Sequence, residues 1–134
     1  KDQTFRKELS LWIEESKTRI SSVIVCCGPG FLSYILQQMI DAATRFSGMS
    51  QEDATAMTSN MLIGLGELMQ QEKFTLQTLQ ERVCVPGGVT GAGLRVLEEE
   101  LAHTFDRLYE ETHRKYDEDR HGVKELFYEP ENQN

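Results

Sequence analysis

Phe31-Leu32-Ser33-Tyr34-Ile35-Leu36-Gln37-Gln38-Met39-Ile40-Asp41-Ala42-Ala43-Thr44-Arg45-Phe46 is the stretch that decides the fold class. Its apolar positions fall on more than one side of a 3.6-residue period, so it reads as a helix covered on most of its surface rather than as a half-buried strand. Upstream, Val23-Ile24-Val25 leads into Cys27-Gly28-Pro29-Gly30 as a short strand or an extended entry. The Gly-Pro-Gly reads as a break after which helix begins. Downstream, Gly48 ends the helix, and Ser50 with Asp53 three residues on opens the next one in the manner of a capping box.

That second helix is expected over about Gln51 to Lys73, with Ala54, Met57, Met61, Leu65, Leu68 and Met69 forming an apolar stripe. Gly64 and Gly66 interrupt it. Two glycines inside a helix each cost up to about 1 kcal/mol relative to alanine, which points to a close helix crossing there. Thr75 caps a short helix through Leu76, Leu79 and Val83, stopped by Val85-Pro86-Gly87-Gly88. From about Thr90, Leu94, Leu97, Leu101, Phe105, Leu108, Thr112 and Tyr116 form one long stripe, with Leu94, Leu101 and Leu108 seven apart, suited to packing against a partner chain. An amphipathic helix is also expected within Lys1 to Ser21, and Glu129 to Asn134 reads as a loose tail. No run of β-branched residues alternates with helices as a doubly wound sheet requires, so the fold class is all-α and residues 1–134 read as a single helical domain.

Composition narrows the function classes. The 134 residues carry 14 Lys and Arg against 22 Asp and Glu, a formal net charge of −8. Nucleic acid and anionic membrane surfaces are therefore disfavoured as partners. Most of the imbalance lies in Glu98 to Asn134, with twelve acidic against five basic residues. Three cysteines, Cys26, Cys27 and Cys84, are no disulfide framework and suit a reducing cytoplasm. No export signal is read in Lys1 to Glu15, and no run reaches the roughly 18 apolar residues of a membrane span.

Three constellations could carry chemistry. Gly87-Gly88-Val89-Thr90-Gly91-Ala92-Gly93 opens a helix, where free N–H groups and the positive dipole end suit a small carboxylate. Its spacing matches neither a dinucleotide fingerprint nor a phosphate-binding loop, so no cofactor is assigned to this chain, and a plain turn is the simpler reading. His113, Asp117 and His121, four apart, would share a helix face and could bind zinc. Their neighbours Arg114, Lys115, Glu118, Asp119 and Arg120 instead describe a solvated charged face, Gly122 is a candidate helix end, and no metal site is assigned. Cys26 and Cys27 lack metal or redox spacing and read as buried small residues, and the methionines read as core filling.

Cys27-Gly28-Pro29-Gly30-Phe31, two long helices, and then Val85-Pro86-Gly87-Gly88-Val89-Thr90-Gly91-Ala92-Gly93-Leu94-Arg95-Val96-Leu97-Glu98 resemble the C-terminal half of pyrroline-5-carboxylate reductases over about residues 22–112. Within that family the likeness is greatest to a late-competence member. The resemblance implies an interlocked long-helix dimerisation domain of the 6-phosphogluconate dehydrogenase C-terminal type. It also implies a homodimer, with the Pro86-Gly87-Gly88 loop facing substrate. NADP is expected only with a preceding Rossmann domain, which this chain lacks, so the chain alone is not a complete enzyme. Thr90 falls where the family places a hydroxyl near the substrate nitrogen, and Gly87 and Gly88 where the loop approaches the substrate carboxylate. The family's two serines before the proline are Cys84 and Val85 here, and its Gly-Ser-Gly-Pro is Cys26-Cys27-Gly28-Pro29. Valine cannot donate the hydrogen bond that a serine would give a carboxylate. The full-length protein is expected either as a relative of the reductase or as an active NADPH-dependent imine reductase in proline biosynthesis. A metal-binding helical domain is the weaker alternative.

Overall fold

A computed structural model describes the backbone of residues 15–127 and the side chains of residues 17–121. Every described element is helical, with no strand among the described residues. In order these are α1 (Glu15–Ser22), a π-helical turn (Val23–Cys27), α2 (Gly28–Ser47), α3 (Gln51–Gln70), α4 (Leu76–Val83), α5 (Val89–Glu100) and α6 (Thr104–Phe127). Most of the opening segment and the expected tail at Glu129 to Asn134 lie outside the described residues.

The described residues fall into two compact units, 27–96 and 15–26 with 97–127. In the first, α2 and α3 pack against each other through a three-residue connection. Gly48 adopts φ 74° and its N–H reaches the Thr44 carbonyl, a left-handed stop that glycine adopts without the Cβ penalty. Ser50 Oγ then accepts the Asp53 N–H at 3.1 Å and starts α3. Asp41 fastens the pair, because Gln37 and Gln51 both donate to its Oδ1 at 2.8 Å. Ile40 and Ala54, 6% and 4% exposed, are the buried apolar residues of this unit. Thr75 and Thr78 form a reciprocal capping box on α4.

In the second unit α1 lies against α6. Arg19 Nη1 donates to Asp117 Oδ1, its guanidinium sits 5.7 Å from the Tyr116 ring centroid, and the Tyr116 hydroxyl reaches Ser22 Oγ at 3.3 Å. Beyond this seam α6 carries Arg114 paired with Glu111 and Glu118, and Lys115 paired with Asp119, all exposed. These are neighbouring-turn pairs of a solvated helix face.

Several expectations are corrected. Val23–Cys27 is a π-helical turn, not a strand or extended entry, and Gly-Pro-Gly does not interrupt the helix. Pro29 sits in the first turn of α2, and the carbonyl its ring would crowd, four residues back, is that of Val25 inside the widened turn. The resulting helix, Lys17–Ser47, is long and apolar enough to cross a membrane by length and composition alone, with a mean hydropathy of 1.5 in its most apolar window. The expected Thr90 to Tyr116 helix is divided at Leu101-Ala102-His103. Glu98, Glu99 and Glu100 place like charges at the negative dipole end of α5, where no basic residue offsets them, and Thr104 Oγ1 takes up the Glu100 carbonyl at 2.9 Å. Gly122 does not end α6, which continues to Phe127. α3 stops at Gln70, three residues before the expected end, and Glu72 turns the chain with φ 54°.

The largest difference concerns burial. Phe31 to Phe46 reads as covered on most sides, yet within the chain Leu32, Tyr34, Met39 and Phe46 are 50%, 69%, 55% and 97% exposed. A methyl added at Gly64 or Gly66 meets nothing within 4 Å, so the close crossing expected there is not made inside this chain. Cys26 is exposed rather than buried.

Candidate functional site

Val85, Pro86, Gly87 and Gly88 form a tight turn between α4 and α5, with the Gly88 N–H on the Val85 carbonyl at 2.9 Å. Proline pre-sets the second position, and Gly87 supplies φ 71° at the third, the arrangement of a type II turn. Gly88 has no room for a side chain: an added Cβ would lie 2.6 Å from Val85 Cγ2 and 3.0 Å from the Val85 carbonyl oxygen. The isopropyl group thus covers Gly88 on one side while remaining 62% exposed to solvent.

Cys84 closes α4 through its N–H to the Gln80 carbonyl at 3.1 Å. Its thiol points toward the next helix, 3.1 Å from where a Cβ on Gly91 would stand, so Gly91 lets α5 start close against the end of α4. Helical bonding resumes with the Ala92 N–H on the Gly88 carbonyl at 3.3 Å. The first N–H groups of α5 have no acceptor within the helix, and Thr90, an exposed residue, belongs to this first turn. The structure therefore brings Val85, Gly87, Gly88 and Thr90 together in one short surface segment. What it offers a ligand is one hydroxyl, a few backbone N–H groups and the methyls of Val85 and Val89.

The glycines do not fit a nicotinamide dinucleotide, since Gly88, Gly91 and Gly93 lack the fingerprint spacing and follow a turn and a helix instead of a strand. His113, Asp117 and His121 are not assembled as ligands. His113 Nδ1 lies 3.2 Å from the Tyr109 carbonyl oxygen, and Asp117 is held by Arg19. Among the described residues no group of three or more His, Cys, Asp or Glu side chains could hold a metal ion.

The arginine–tyrosine seam and the Asp41 staple are absent from the sequence reading, because nothing local signals a pairing of residues 98 apart or a choice between two glutamines. Arg19 holds the Asp117 carboxyl below its ordinary range mainly by hydrogen bonding. Gln51, then Gln37, does the same for Asp41.

The profile of the pyrroline-5-carboxylate reductase dimerisation family matches residues 15–119. ComE operon protein 4 of Bacillus subtilis is 48% identical over 118 residues, covering 88% of this chain and 43% of that protein. Pyrroline-5-carboxylate reductase 3 of the same organism is 31% identical over 105 residues, covering 78% of this chain and 39% of its own. In structure, the chain is similar to Plasmodium falciparum pyrroline carboxylate reductase with NADP bound, with TM-score 0.67 and 26% identity over 77% of this chain and 39% of that one. The late-competence likeness read from the sequence corresponds to the ComE operon protein. The chain spans about two fifths of the length of these relatives.

Proposed function

Because this chain belongs to the pyrroline-5-carboxylate reductase dimerisation family, we propose that it homodimerises through its long helices and supplies the substrate-side loop of a cytoplasmic imine reductase. One observation supports the dimer above all. Among the described residues only Val23, Ile40 and Ala54 are buried apolar side chains, whereas α2, α3 and α5 present Tyr34, Met39, Phe46, Met57, Ile63, Val89 and Val96 to solvent. Apolar surface of that extent is stable only when covered, and isologous pairing with a second copy covers both chains at once. The membrane-length helix Lys17–Ser47 is accounted for in the same way, since partner side chains and lipid would cover the same surface.

In this reading Gly87 and Gly88 bring backbone close to a cyclic imine of the pyrroline type, and Thr90 orients its nitrogen. NADP binds to a further, dinucleotide-binding domain of the full-length protein. The chain by itself contributes assembly and half of a substrate site, and no reaction step is assigned to it alone.

Molar mass by size exclusion with multi-angle scattering tests the assembly. Twice the chain mass over a dilution series supports the dimer, and a monomer at micromolar concentration overturns it. Reduction of a pyrroline imine by the full-length protein, diminished by Thr90→Val, tests the loop.

A further inference from the structure

We propose that Val85 makes the turn selective for a cyclic imine that carries no carboxylate on the edge facing the turn. The inference rests on the reading above, in which this turn meets the substrate, and it names the class of substrate the turn accepts.

Three features of the turn lead there. Val85 is 62% exposed, and Cγ2 stands against Gly88 close enough that a methyl on that glycine would be only 2.6 Å away. The side chain preceding the proline thus stands beside Gly88 and offers a ligand only methyl groups. The neighbouring polar side chain is turned aside, because the Cys84 sulfur lies 3.1 Å from where a Cβ on Gly91 would stand. The Gly88 N–H is already spent on the Val85 carbonyl, so it does not serve an incoming anion.

A carboxylate placed against Val85 would shed water on methyl groups and have only the early N–H groups of α5 and the Thr90 hydroxyl to replace it. An edge of carbon and hydrogen sheds no strongly held water and packs on the isopropyl group directly. Charge works in the same direction. Residues 27–96 hold Asp41, Glu52, Asp53, Glu67, Glu72 and Glu81 against Arg45, Lys73, Arg82 and Arg95, leaving no cationic excess to draw an anion.

The test uses the full-length protein with NADPH, comparing kcat/KM for 1-pyrroline and for pyrroline-5-carboxylate. Val85→Ser and the nearly isosteric Val85→Thr each add one hydroxyl donor. Wild type is expected to prefer 1-pyrroline, and both variants to move the ratio toward the carboxylate by about tenfold or more, the worth of one hydrogen bond to a charged group. Calorimetric titration with tetrahydrofuran-2-carboxylate and its neutral amide gives a readout without turnover, in which the amide binds wild type more tightly and the variants reverse the order. Preference of the wild type for the carboxylate, or a ratio unmoved in both variants, overturns the selectivity while leaving the substrate-loop reading intact. If neither imine is reduced and neither probe binds, the substrate-loop reading falls and the selectivity with it.

Discussion

Arg19 Nη1 donates to Asp117 Oδ1 at 2.7 Å, tying α1 to α6 across 98 residues of sequence, with the guanidinium also set over the Tyr116 ring. The guanidinium side is mostly covered, at 17% exposure, while the aspartate is 60% exposed. Most of the worth of this seam therefore lies in the stacking and packing of Arg19, not in the charge pair. Tyr116→Leu is expected to cost about 0.5–1 kcal/mol through loss of the cation–π contact. Asp117→Asn is expected to shift the thermal midpoint less than Arg19→Ala does. Thermal unfolding of the three variants checks the order.

Acidification should weaken the fold. Asp117, Asp41 and Glu111 are held below their ordinary values, by Arg19, by Gln51 with Gln37, and by Arg114. The unfolded chain then takes up protons at higher pH than the native one does. Their contribution is present at neutral pH and is lost as pH falls through and below the ordinary carboxylate range near 4. Denaturant titrations at pH 7, 4 and 3 should give a falling midpoint, with a smaller fall in Asp41→Asn.

The two glycines of the turn should differ in how they fail. Gly87→Ala places a side chain at φ 71° and is expected to cost about 1–2 kcal/mol from backbone strain alone. Gly88→Ala drives a methyl against Val85 Cγ2 and the Val85 carbonyl, so its cost is steric. Val85→Ala in the Gly88→Ala background should recover part of the loss, whereas it should recover none in Gly87→Ala. Chemical denaturation of the single and double variants decides this.

Within α3, Gly64→Ala and Gly66→Ala meet open space in a single chain and gain up to about 1 kcal/mol of helix propensity each. If a partner helix crosses there, the same methyls hold the two chains apart. The expected outcome is weaker dimerisation in scattering, by about tenfold or more, the scale of overpacking a close contact. Phe46→Asp, at a position 97% exposed in the chain, should likewise give monomer.

Much of the local structure was legible from residues a few positions apart. Ser50 and Thr75 as caps, Gly48 as a left-handed stop and the Pro86-Gly87-Gly88 turn are each fixed by the conformational limits of one or two residues, and each stands where those limits put it. The π-helical turn before Pro29 was not legible, because a short β-branched run followed by Gly-Pro-Gly is equally the signature of a strand and a break. Nor was the division at Leu101-Ala102-His103, where an unbroken apolar stripe outweighed the triple glutamate that weakens the end of α5.

By itself the sequence determined the helical class of the described residues, the positions of their caps and turns, and apolar positions spread over more than one helix face. Those properties depend on backbone preferences and on periodicity, which act over a single turn or a single helix. Only the tertiary structure decided that Arg19 meets Asp117 and Tyr116, that Asp41 takes both glutamines, and that Val85 rather than Cys84 faces outward at the turn. These are matters of which distant surfaces meet and which rotamer the available space permits, and no spacing along the chain encodes them.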